Sequence, residues 1–249
     1  MPVLGVIPAR LGSSRLPRKP LLPLAGEPLV VRVTRRVTEM RACDRVVVAT
    51  DAKEIAATVE RAGFEAVMTS PEHQSGTERI AEVIDKKEFS DFTFILNVQG
   101  DEPFVAPAAI HGALACLERG EPLGTAAGSL DPELVGDPSR VKVVVNAQGR
   151  AVYFSRSKGI GARDGAGDVV YHQHVGVYAY TRDALQRWVR LPPVPEERWE
   201  RLEQLRPLLH GIPMGVTLFD GPAAPGIDTP ADLAWAETEV TRTLKEVSP

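Results

Sequence analysis

The sequence predicts an α/β fold with a mostly parallel sheet and a small antiparallel excursion, and three observations indicate it. Short apolar runs rich in β-branched residues alternate with segments of helical period through the first half of the chain. Repeated strand–helix units of this kind build parallel sheets covered by helices. After residue 123 the pattern changes to extended runs separated by glycine-containing turns. We therefore expect one domain over residues 1–249, with a lobe within residues 123–210.

The first half contains four strand–helix repeats. Strands are predicted at residues 3–7, 45–50, 66–68 and 92–98, and helices at residues 28–40, 52–62, 77–87 and 107–119. Right-handed crossovers place the loops that follow parallel strands along one edge of the sheet, where ligands bind.

The second half is predicted to be mixed. Extended runs at residues 141–145, 151–155 and 175–180 predict the antiparallel excursion, and a further strand is predicted at residues 215–219. Helices are predicted at residues 182–190, 196–210 and 230–245. The last of these follows Asp228, Thr229 and Pro230, which is typical of a helix start.

The composition is that of an ordinary globular protein, with 249 residues, 43% hydrophobic and 25% charged. A net charge of -4 gives no indication of a general affinity for nucleic acid or for an anionic membrane. The sequence shows neither a signal peptide nor a membrane-spanning run, so we expect a cytoplasmic protein. Cys43 and Cys116 lack CxxC spacing and are predicted to be free thiols.

The loop after the first strand is short and cationic, reading PARLGSSRLPRKPL over residues 8–21. Arg10, Arg15 and Lys19 supply the charge that a triphosphate needs, Gly12 permits close backbone approach, and Ser13 adds a hydroxyl donor. The alternative is a basic loop that faces water. Its position after the first strand favours phosphate binding, although the loop matches neither a Walker motif nor a dinucleotide fingerprint.

Two aspartates could hold a metal ion near that loop. Asp101 follows the strand at residues 92–98, and a carboxylate beside bound phosphates commonly indicates magnesium. Asp228 is the second candidate, but the residues around it equally fit a plain helix N-cap, and the local pattern favours the cap.

A third polar segment, HQSGTER at residues 73–79, opens a predicted helix. Ser75 and Thr77 could be helix caps alone. With Gly76 and Arg79 they could equally bind a nucleotide base at the edge of the sheet, and the pattern leaves both interpretations open.

Taken together, these segments resemble the 3-deoxy-manno-octulosonate cytidylyltransferase family over nearly the whole chain. The matching pieces include IPAR at residues 7–10, ATD at 49–51, HQSGTER at 73–79, NVQGDEP at 97–103, YFSR at 153–156, HVGVY at 174–178, LEQLR at 202–206 and GIDTP at 226–230. The combination of HQSGTER with NVQGDEP is the most specific part of the resemblance.

The resemblance implies a Rossmann-like nucleotidyltransferase fold of the glycosyltransferase-A type, in a homodimer whose lobe serves sugar binding or dimerisation. It implies transfer of CMP from CTP to 3-deoxy-D-manno-octulosonate (Kdo) with Mg²⁺, releasing pyrophosphate and making CMP-Kdo for lipopolysaccharide biosynthesis. No nucleic acid or membrane partner is expected.

Residue roles follow from the resemblance by matching position. Nucleotide binding is expected at Pro8, Ala9, Arg10, Ser13, Arg15, Lys19, Ser75, Gly76, Thr77, Arg79 and Gln99. Catalysis is expected at Arg10, Lys19, Asp101 and Asp228, of which Asp101 and Asp228 would hold Mg²⁺. Sugar binding is expected at Gln99, Arg156, His174, Tyr178, Glu203 and Gln204.

The sequence departs from the family after YFSR. Relatives usually carry Ile-Pro-Trp there, whereas this chain has SKGIG at residues 157–161 and a glycine-rich stretch to Gly167. The sugar therefore stays open between Kdo, a Kdo analogue and a sialic-acid-like keto acid. A non-catalytic CTP-binding regulator is the further alternative.

Overall fold

The computed structural model of the protein describes residues 1–12, 15–159 and 169–247, the last five as backbone alone. The strands are β1 (Val3–Ala9), β2 (Pro23–Leu24), β3 (Glu27–Pro28), β4 (Arg45–Thr50), β5 (Glu65–Met68), β6 (Phe94–Val98), β7 (Leu123–Leu130), β8 (Lys142–Val145), β9 (Ala151–Ser155), β10 (Tyr171–Thr181) and β11 (Met214–Pro222). The helices are α1 (Leu29–Glu39), α2 (Lys53–Arg61), α3 (Gly76–Asp85), α4 (Pro107–Glu118), α5 (Arg182–Val189), α6 (Pro195–Glu200), α7 (Leu205–Leu209) and α8 (Pro230–Val247).

The chain folds into two compact units. The first unit comprises Pro2–Asp91, Asn97–Phe104 and Pro225–Pro249. The second unit comprises Met1, Phe92–Leu96 and Val105–Ala224. The expectation of a single nucleotidyltransferase domain stays a prediction.

The first unit contains three parallel strands in the order β1-β4-β5. Strand β1 pairs in parallel with β4, and β4 pairs in parallel with β5. Helix α1 presents Val30, Val33 and Val37 to the core at helical spacing, and all three are buried. Full burial of a valine side chain contributes roughly 1.5–3 kcal/mol. The parallel pairing brings the carboxyl ends of these strands to one edge, as predicted.

The second unit contains the antiparallel excursion, so the predicted fold class is confirmed. Strand β10 pairs antiparallel with β7 and β8, β8 pairs antiparallel with β9, and β11 pairs in parallel with β7. Strand β7 was not among the predicted strands, because its sequence LGTAAGSL lacks large β-branched residues.

Close helix packing explains that composition. A Cβ added at Gly124 would lie 2.2 Å from the backbone oxygen of Ala113 and 2.7 Å from Cβ of Cys116, both on α4. Helix α4 therefore packs directly against the backbone of β7, and glycine at this position is required by space.

Most predicted boundaries agree with the structure within a few residues, and strand β4 coincides with its prediction. The predicted helix at 196–210 is wrong, since the segment forms two short helices, α6 and α7. Arg201 ends α6 in the left-handed conformation with φ 53°. Pro207 would place a proline inside a continuous helix, where it lacks the N–H and clashes with the preceding turn.

Both cysteines are free thiols, as predicted. Burial raises the pKa of the Cys43 thiol to about 12, and the Asp44 carboxylate adds to the effect. Within the described ranges, no helix combines the length and the apolar character needed to cross a membrane.

Candidate active site

A cavity of about 310 Å³ opens in the first unit where β1 and β6 end and α3 begins. Its walls come from the loop after β1, the start of α3, the loop after β6 and the segment before α8. The lining residues are Pro8, Ala9, Arg10, Gly12, Arg15, Lys19, Pro20, His73, Ser75, Gly76, Arg79, Gln99, Gly100, Asp101 and Asp228.

Two glycines allow the walls to approach each other. A Cβ added at Gly100 would lie 3.0 Å from the backbone oxygen of Pro8, and one at Gly76 would lie 3.2 Å from Cγ of the same proline. The first contact is with rigid backbone, so a larger residue at position 100 would push the loop after β6 away from β1. The absence of a side chain at positions 76 and 100 therefore allows the segments around the cavity to pack this closely against Pro8.

Asp101 and Asp228 lie together because a backbone hydrogen bond joins Asp101 to Ile227, the residue before Asp228. The backbone N–H of Ile227 donates to the backbone oxygen of Asp101 at 2.9 Å. Nζ of Lys19 then lies 2.6 Å from Oδ2 of Asp101 and 2.9 Å from Oδ1 of Asp228. These two carboxylate oxygens therefore lie at most 5.5 Å from each other, since both are hydrogen-bonded to the same nitrogen.

Neighbouring charges shift the pKa values of Lys19 and Asp228. Burial by itself would lower the pKa of Lys19, but Asp101 and Asp228 outweigh it and hold that pKa above its usual value. Burial would raise the pKa of Asp228, yet the ammonium of Lys19 and the guanidinium of Arg15 hold it below its usual value. Lys19 is therefore a cation and Asp228 an anion at neutral pH.

The remaining cations of the loop differ in their partners. Nη2 of Arg15 donates to Oδ2 of Asp228 at 2.9 Å. Arg18 pairs with Glu54 and does not line the cavity. Arg10 is exposed, lines the cavity and forms no ion pair with any residue of the described ranges. Its guanidinium is thus available to an anionic ligand.

At the start of α3, Ser75 caps the helix and also lines the cavity, while its binding of a nucleotide base stays a prediction. Its Oγ accepts from the backbone N–H of Glu78 at 3.2 Å, so Ser75 is a helix cap. The carboxylate of Glu78 in turn accepts from the backbone N–H of Gln74 at 2.7 Å. Ser75 also lines the cavity, whereas Thr77 is only 1% exposed and does not.

Arg79 closes one side of the cavity and is itself only 2% exposed. Nη2 donates to Oδ2 of Asp51 at 3.1 Å, and Nη1 donates to Oγ1 of Thr69. Beside it, Nε2 of His73 lies 2.6 Å from Oε2 of Glu82. Glu82 also accepts from the backbone N–H of Ser70 at 2.8 Å, which fixes the turn between β5 and α3.

The cavity collects most of the residues predicted to bind nucleotide and all four predicted to be catalytic. Those present are Pro8, Ala9, Arg10, Arg15, Lys19, Ser75, Gly76, Arg79, Gln99, Asp101 and Asp228. Ser13 lies outside the described residues. The expectation that Asp228 is a plain helix N-cap is wrong, because Oγ1 of Thr229 accepts from the backbone N–H of Asp232 at 3.2 Å and caps α8. The carboxylate of Asp228 instead bonds Lys19 and Arg15.

Of the residues predicted to bind sugar, Gln99 lines this cavity, and the others belong to the second unit. Nε of Arg156 donates to the backbone oxygen of Glu200 at 2.8 Å, and Nη1 donates to that of Pro138 at 2.9 Å. His174, Tyr178 and Gln204 are buried, and Glu203 is half-buried. Sugar binding by these residues stays a prediction.

His174 is held as a neutral ring. Burial lowers its pKa to about 3. Thr125 Oγ1 donates to the backbone oxygen of Val177 at 2.6 Å, so at 3.0 Å it can only accept from Nε2 of His174. The proton of the neutral ring therefore resides on Nε2.

Sequence reasoning left several cavity residues without a role. Pro20, His73 and Gly100 line the cavity; His73 and Gly100 lie in motifs that carried the family resemblance, and Pro20 lies in the cationic loop. Asp51, in the ATD motif, bonds Arg79 from behind the cavity wall. Motif membership was the available signal, but only the fold shows which side chains meet.

The donor set fits a hard cation that takes part of its ligands from a bound phosphate chain. Asp101 and Asp228 supply carboxylate oxygens, which magnesium prefers. Among the described residues no cluster of three or more His, Cys, Asp or Glu side chains is placed to hold a metal. Two carboxylates suffice where phosphates and water complete the coordination.

The chain is similar to known proteins over most of its length. Residues 4–214 match the cytidylyltransferase family. A 3-deoxy-manno-octulosonate cytidylyltransferase from Gemmatimonas aurantiaca is 51% identical, covering 96% of this chain and 94% of the relative. One from Methylococcus capsulatus is 45% identical, covering 95% and 96%.

A solved structure of CMP:2-keto-3-deoxy-manno-octonic acid synthetase complexed with CTP matches with a TM-score of 0.90 and 38% identity, covering 98% of this chain and all of that one. The predicted resemblance is thereby confirmed, and the chain belongs to the 3-deoxy-manno-octulosonate cytidylyltransferase family.

Proposed function

We propose that this protein transfers CMP from CTP to Kdo, releasing pyrophosphate and making CMP-Kdo, the precursor that the sequence resemblance links to lipopolysaccharide biosynthesis. The observation that carries the proposal is the cavity in which Arg10, Arg15 and Lys19 face Asp101 and Asp228. Cations suit the triphosphate, and paired carboxylates suit the metal that accompanies it. The names of the relatives support both substrates.

The chemistry is a displacement at phosphorus. The anomeric hydroxyl oxygen of Kdo forms a bond to the α-phosphorus, the bond from that phosphorus to the bridging oxygen breaks, and pyrophosphate leaves with the negative charge. The hydroxyl proton passes to solvent. Such transfers depend mainly on positioning and charge stabilisation, so no dedicated side-chain base is required.

The residues divide this work by charge. Arg10, Arg15 and Lys19 would bind the triphosphate and stabilise the charge that develops on departing pyrophosphate. Asp101 and Asp228 would hold Mg²⁺. When bound, the ion would supply charge neutralisation on the phosphates and lower the pKa of a coordinated hydroxyl. Lys19 orients both carboxylates through its two bonds.

For the sugar, Gln99 is the proposed contact within the cavity. Arg156 is the proposed partner of the sugar carboxylate, since a guanidinium can bind a carboxylate through two parallel bonds. The segment in which this chain departs from the family lies largely outside the described residues, at 160–167. A related keto acid therefore remains the second candidate for the acceptor.

We propose further that the enzyme acts in the cytoplasm as a homodimer formed through the second unit. Val152, Val170 and Leu218 are exposed and line one cavity of that unit. Val170 is 73% exposed, and an apolar group shared by several exposed side chains is typical of an interaction surface. A second copy of the chain would remove these side chains from water.

Incubation with CTP, Mg²⁺ and Kdo tests the proposal, with CMP-Kdo detected by mass and pyrophosphate measured in parallel. We expect both products with CTP, and neither when Mg²⁺ is chelated. Parallel reactions with ATP, GTP and UTP and with other eight- and nine-carbon keto acids identify a different nucleotide or sugar. Binding of CTP without pyrophosphate from any acceptor would indicate a regulator and overturn the proposal.

A further inference from the structure

We propose that Asp51 is a positioning residue that orients Arg79 and thereby sets the preference of the site for cytosine over uracil. The inference rests on the proposed function, since it assumes that the base of CTP lies against Arg79. Asp51 does not line the cavity, so its effect must pass through the arginine.

The fold fixes Asp51 where two parallel strands end. It follows β4 directly, and the last residues of β4 and β5, Thr50 and Met68, are paired. The backbone N–H of Thr69 donates to the backbone oxygen of Thr50 at 2.9 Å. The side chain of Thr50 also caps the following turn, accepting from the backbone N–H of Ala52 at 3.2 Å. Asp51 and Thr69 are thus anchored side by side.

Among the described residues, the guanidinium of Arg79 is hydrogen-bonded only from this edge. Its terminal nitrogens donate to Oδ2 of Asp51, to Oγ1 of Thr69 and, at 3.4 Å, to the backbone oxygen of Ser70. Within the part of the chain that the structure describes, Nε makes no hydrogen bond. The side chain of Arg79 is 3% exposed and lines the cavity, and its guanidinium has five N–H donors against the three contacts above. Donors therefore remain for a ligand in the cavity.

A guanidinium only donates hydrogen bonds, and this gives it a means of choosing between pyrimidines. Cytosine presents two neighbouring acceptors, N3 and O2, which match a pair of parallel N–H donors. Uracil carries a hydrogen on N3, so the same pair would oppose donor to donor. A site built to hydrogen-bond one group rejects the analogue that cannot supply it. The site discriminates strongly between cytosine and uracil only while the plane of the guanidinium is fixed.

Asp51 is the charged member of the group that fixes this plane. Thr69 and Ser70 offer neutral acceptors, whereas Asp51 supplies the counter-charge of a buried arginine. Without it, the guanidinium could rotate toward water or toward the carboxylates of the cavity. Discrimination between bases would then fall, even though Arg79 itself is intact.

A second pair on the same strands provides the matched control. Arg45 on β4 and Glu65 on β5 form two hydrogen bonds of 2.9 and 2.5 Å, and neither residue lines the cavity. Glu65→Ala breaks this carboxylate–arginine pair in the same pair of strands without touching the proposed base site.

The experiment measures equilibrium binding of CTP and UTP to the wild type, Asp51→Ala, Asp51→Asn and Glu65→Ala, with melting temperatures and with KM and kcat for CTP. In Asp51→Ala we expect the affinity for CTP to fall at least about tenfold, which corresponds to the loss of one charge-assisted hydrogen bond. The affinity for UTP should change less, so the ratio of the CTP affinity to the UTP affinity (the CTP-to-UTP ratio) should fall. Asp51→Asn, which keeps an acceptor oxygen, should lie between it and the wild type. The loss should appear in KM for CTP with kcat little changed.

An unchanged CTP-to-UTP ratio in Asp51→Ala would overturn the inference, and so would an equal fall of the ratio in Glu65→Ala. The binding measurement does not require turnover. If the wild type binds CTP over UTP but makes no CMP-Kdo, the proposed function fails and the inference is still decided by the ratio. If turnover is normal and the ratio does not move, only the inference fails.

Discussion

Lys19 links the two carboxylates on which the site depends. Its ammonium lies within 3 Å of both Asp101 and Asp228, and Arg15 bonds Asp228 from the other side. The sequence predicted these residues as a cationic loop facing two acids, but it gave no means of pairing them. The pairing depends on the backbone hydrogen bond between Ile227 and Asp101, which joins segments more than 100 residues apart in the sequence.

His174 gives a residue-scale prediction about pH. Its pKa is about 3 in the folded protein because burial disfavours the charged ring, against roughly 6.5 when unfolded. As pH falls below 6.5 the unfolded state binds the proton first, so this contribution to stability is complete above pH 6.5 and declines between pH 6.5 and 3. At pH 4.5 the loss is about 2–3 kcal/mol.

Urea unfolding at pH 8 and pH 4.5 tests this in the wild type and in His174→Gln, whose amide does not titrate. We expect the variant to be less stable at pH 8, through lost packing against Phe154 and Tyr178. Its free energy of unfolding should decline less than that of the wild type on acidification. Equal declines would show that the ring is not held neutral.

At the scale of elements, the N-terminus of α3 serves both the helix and the cavity. Ser75→Ala and Glu78→Ala each remove one side of the reciprocal cap, and each should lower the free energy of unfolding by about 1 kcal/mol. Only Ser75 lines the cavity, so only Ser75→Ala should weaken CTP binding as well. An equal loss of CTP affinity in Glu78→Ala would mean that Ser75 acts through the helix start alone.

The predicted elements were most reliable where one physical signal dominated. Strand β4 has three consecutive valines, Val46–Val48, and is followed closely by a helix start, and its bounds are those predicted. Strand β7 could not be predicted, because its two glycines are required by close tertiary packing: Gly124 packs against α4, and Gly128 packs against residues 219–223. The break between α6 and α7 had a local signal in Pro207, which the helical spacing of the leucines obscured.

At the scale of the whole molecule, the motifs identified the family and most of the cavity, because their residues contact ligand and are recognisable by type. The residues that bond the cavity-lining side chains from outside the cavity could not be predicted from the sequence. Asp51 lies in the ATD motif but had no role assigned, and Glu82 lies outside the motifs; only the fold shows that Asp51 bonds Arg79 and that Glu82 bonds His73. The roles expected for residues of the second unit depend on the family resemblance.

The proposed homodimer is also a property of the whole molecule. We expect the wild type to elute as a dimer in size-exclusion chromatography with light scattering, and Val152→Asp to elute as a monomer, since it places a charge among exposed apolar side chains. Leu134→Asp is the matched control, because Leu134 is 40% exposed and does not line that cavity. A wild-type monomer at all concentrations, or a dimeric Val152→Asp, would contradict the proposal.

The most direct test of the central claim is pyrophosphate release by Asp101→Asn with CTP, Mg²⁺ and Kdo, measured beside its CTP affinity and melting temperature. Exposed Asp91→Asn serves as the control. Losing one preorganised charge contact costs about 3 kcal/mol of transition-state stabilisation, so we predict a folded protein whose turnover falls on the order of 100-fold while CTP binding changes less. Turnover near the wild-type rate would remove Asp101 from the mechanism and contradict the account.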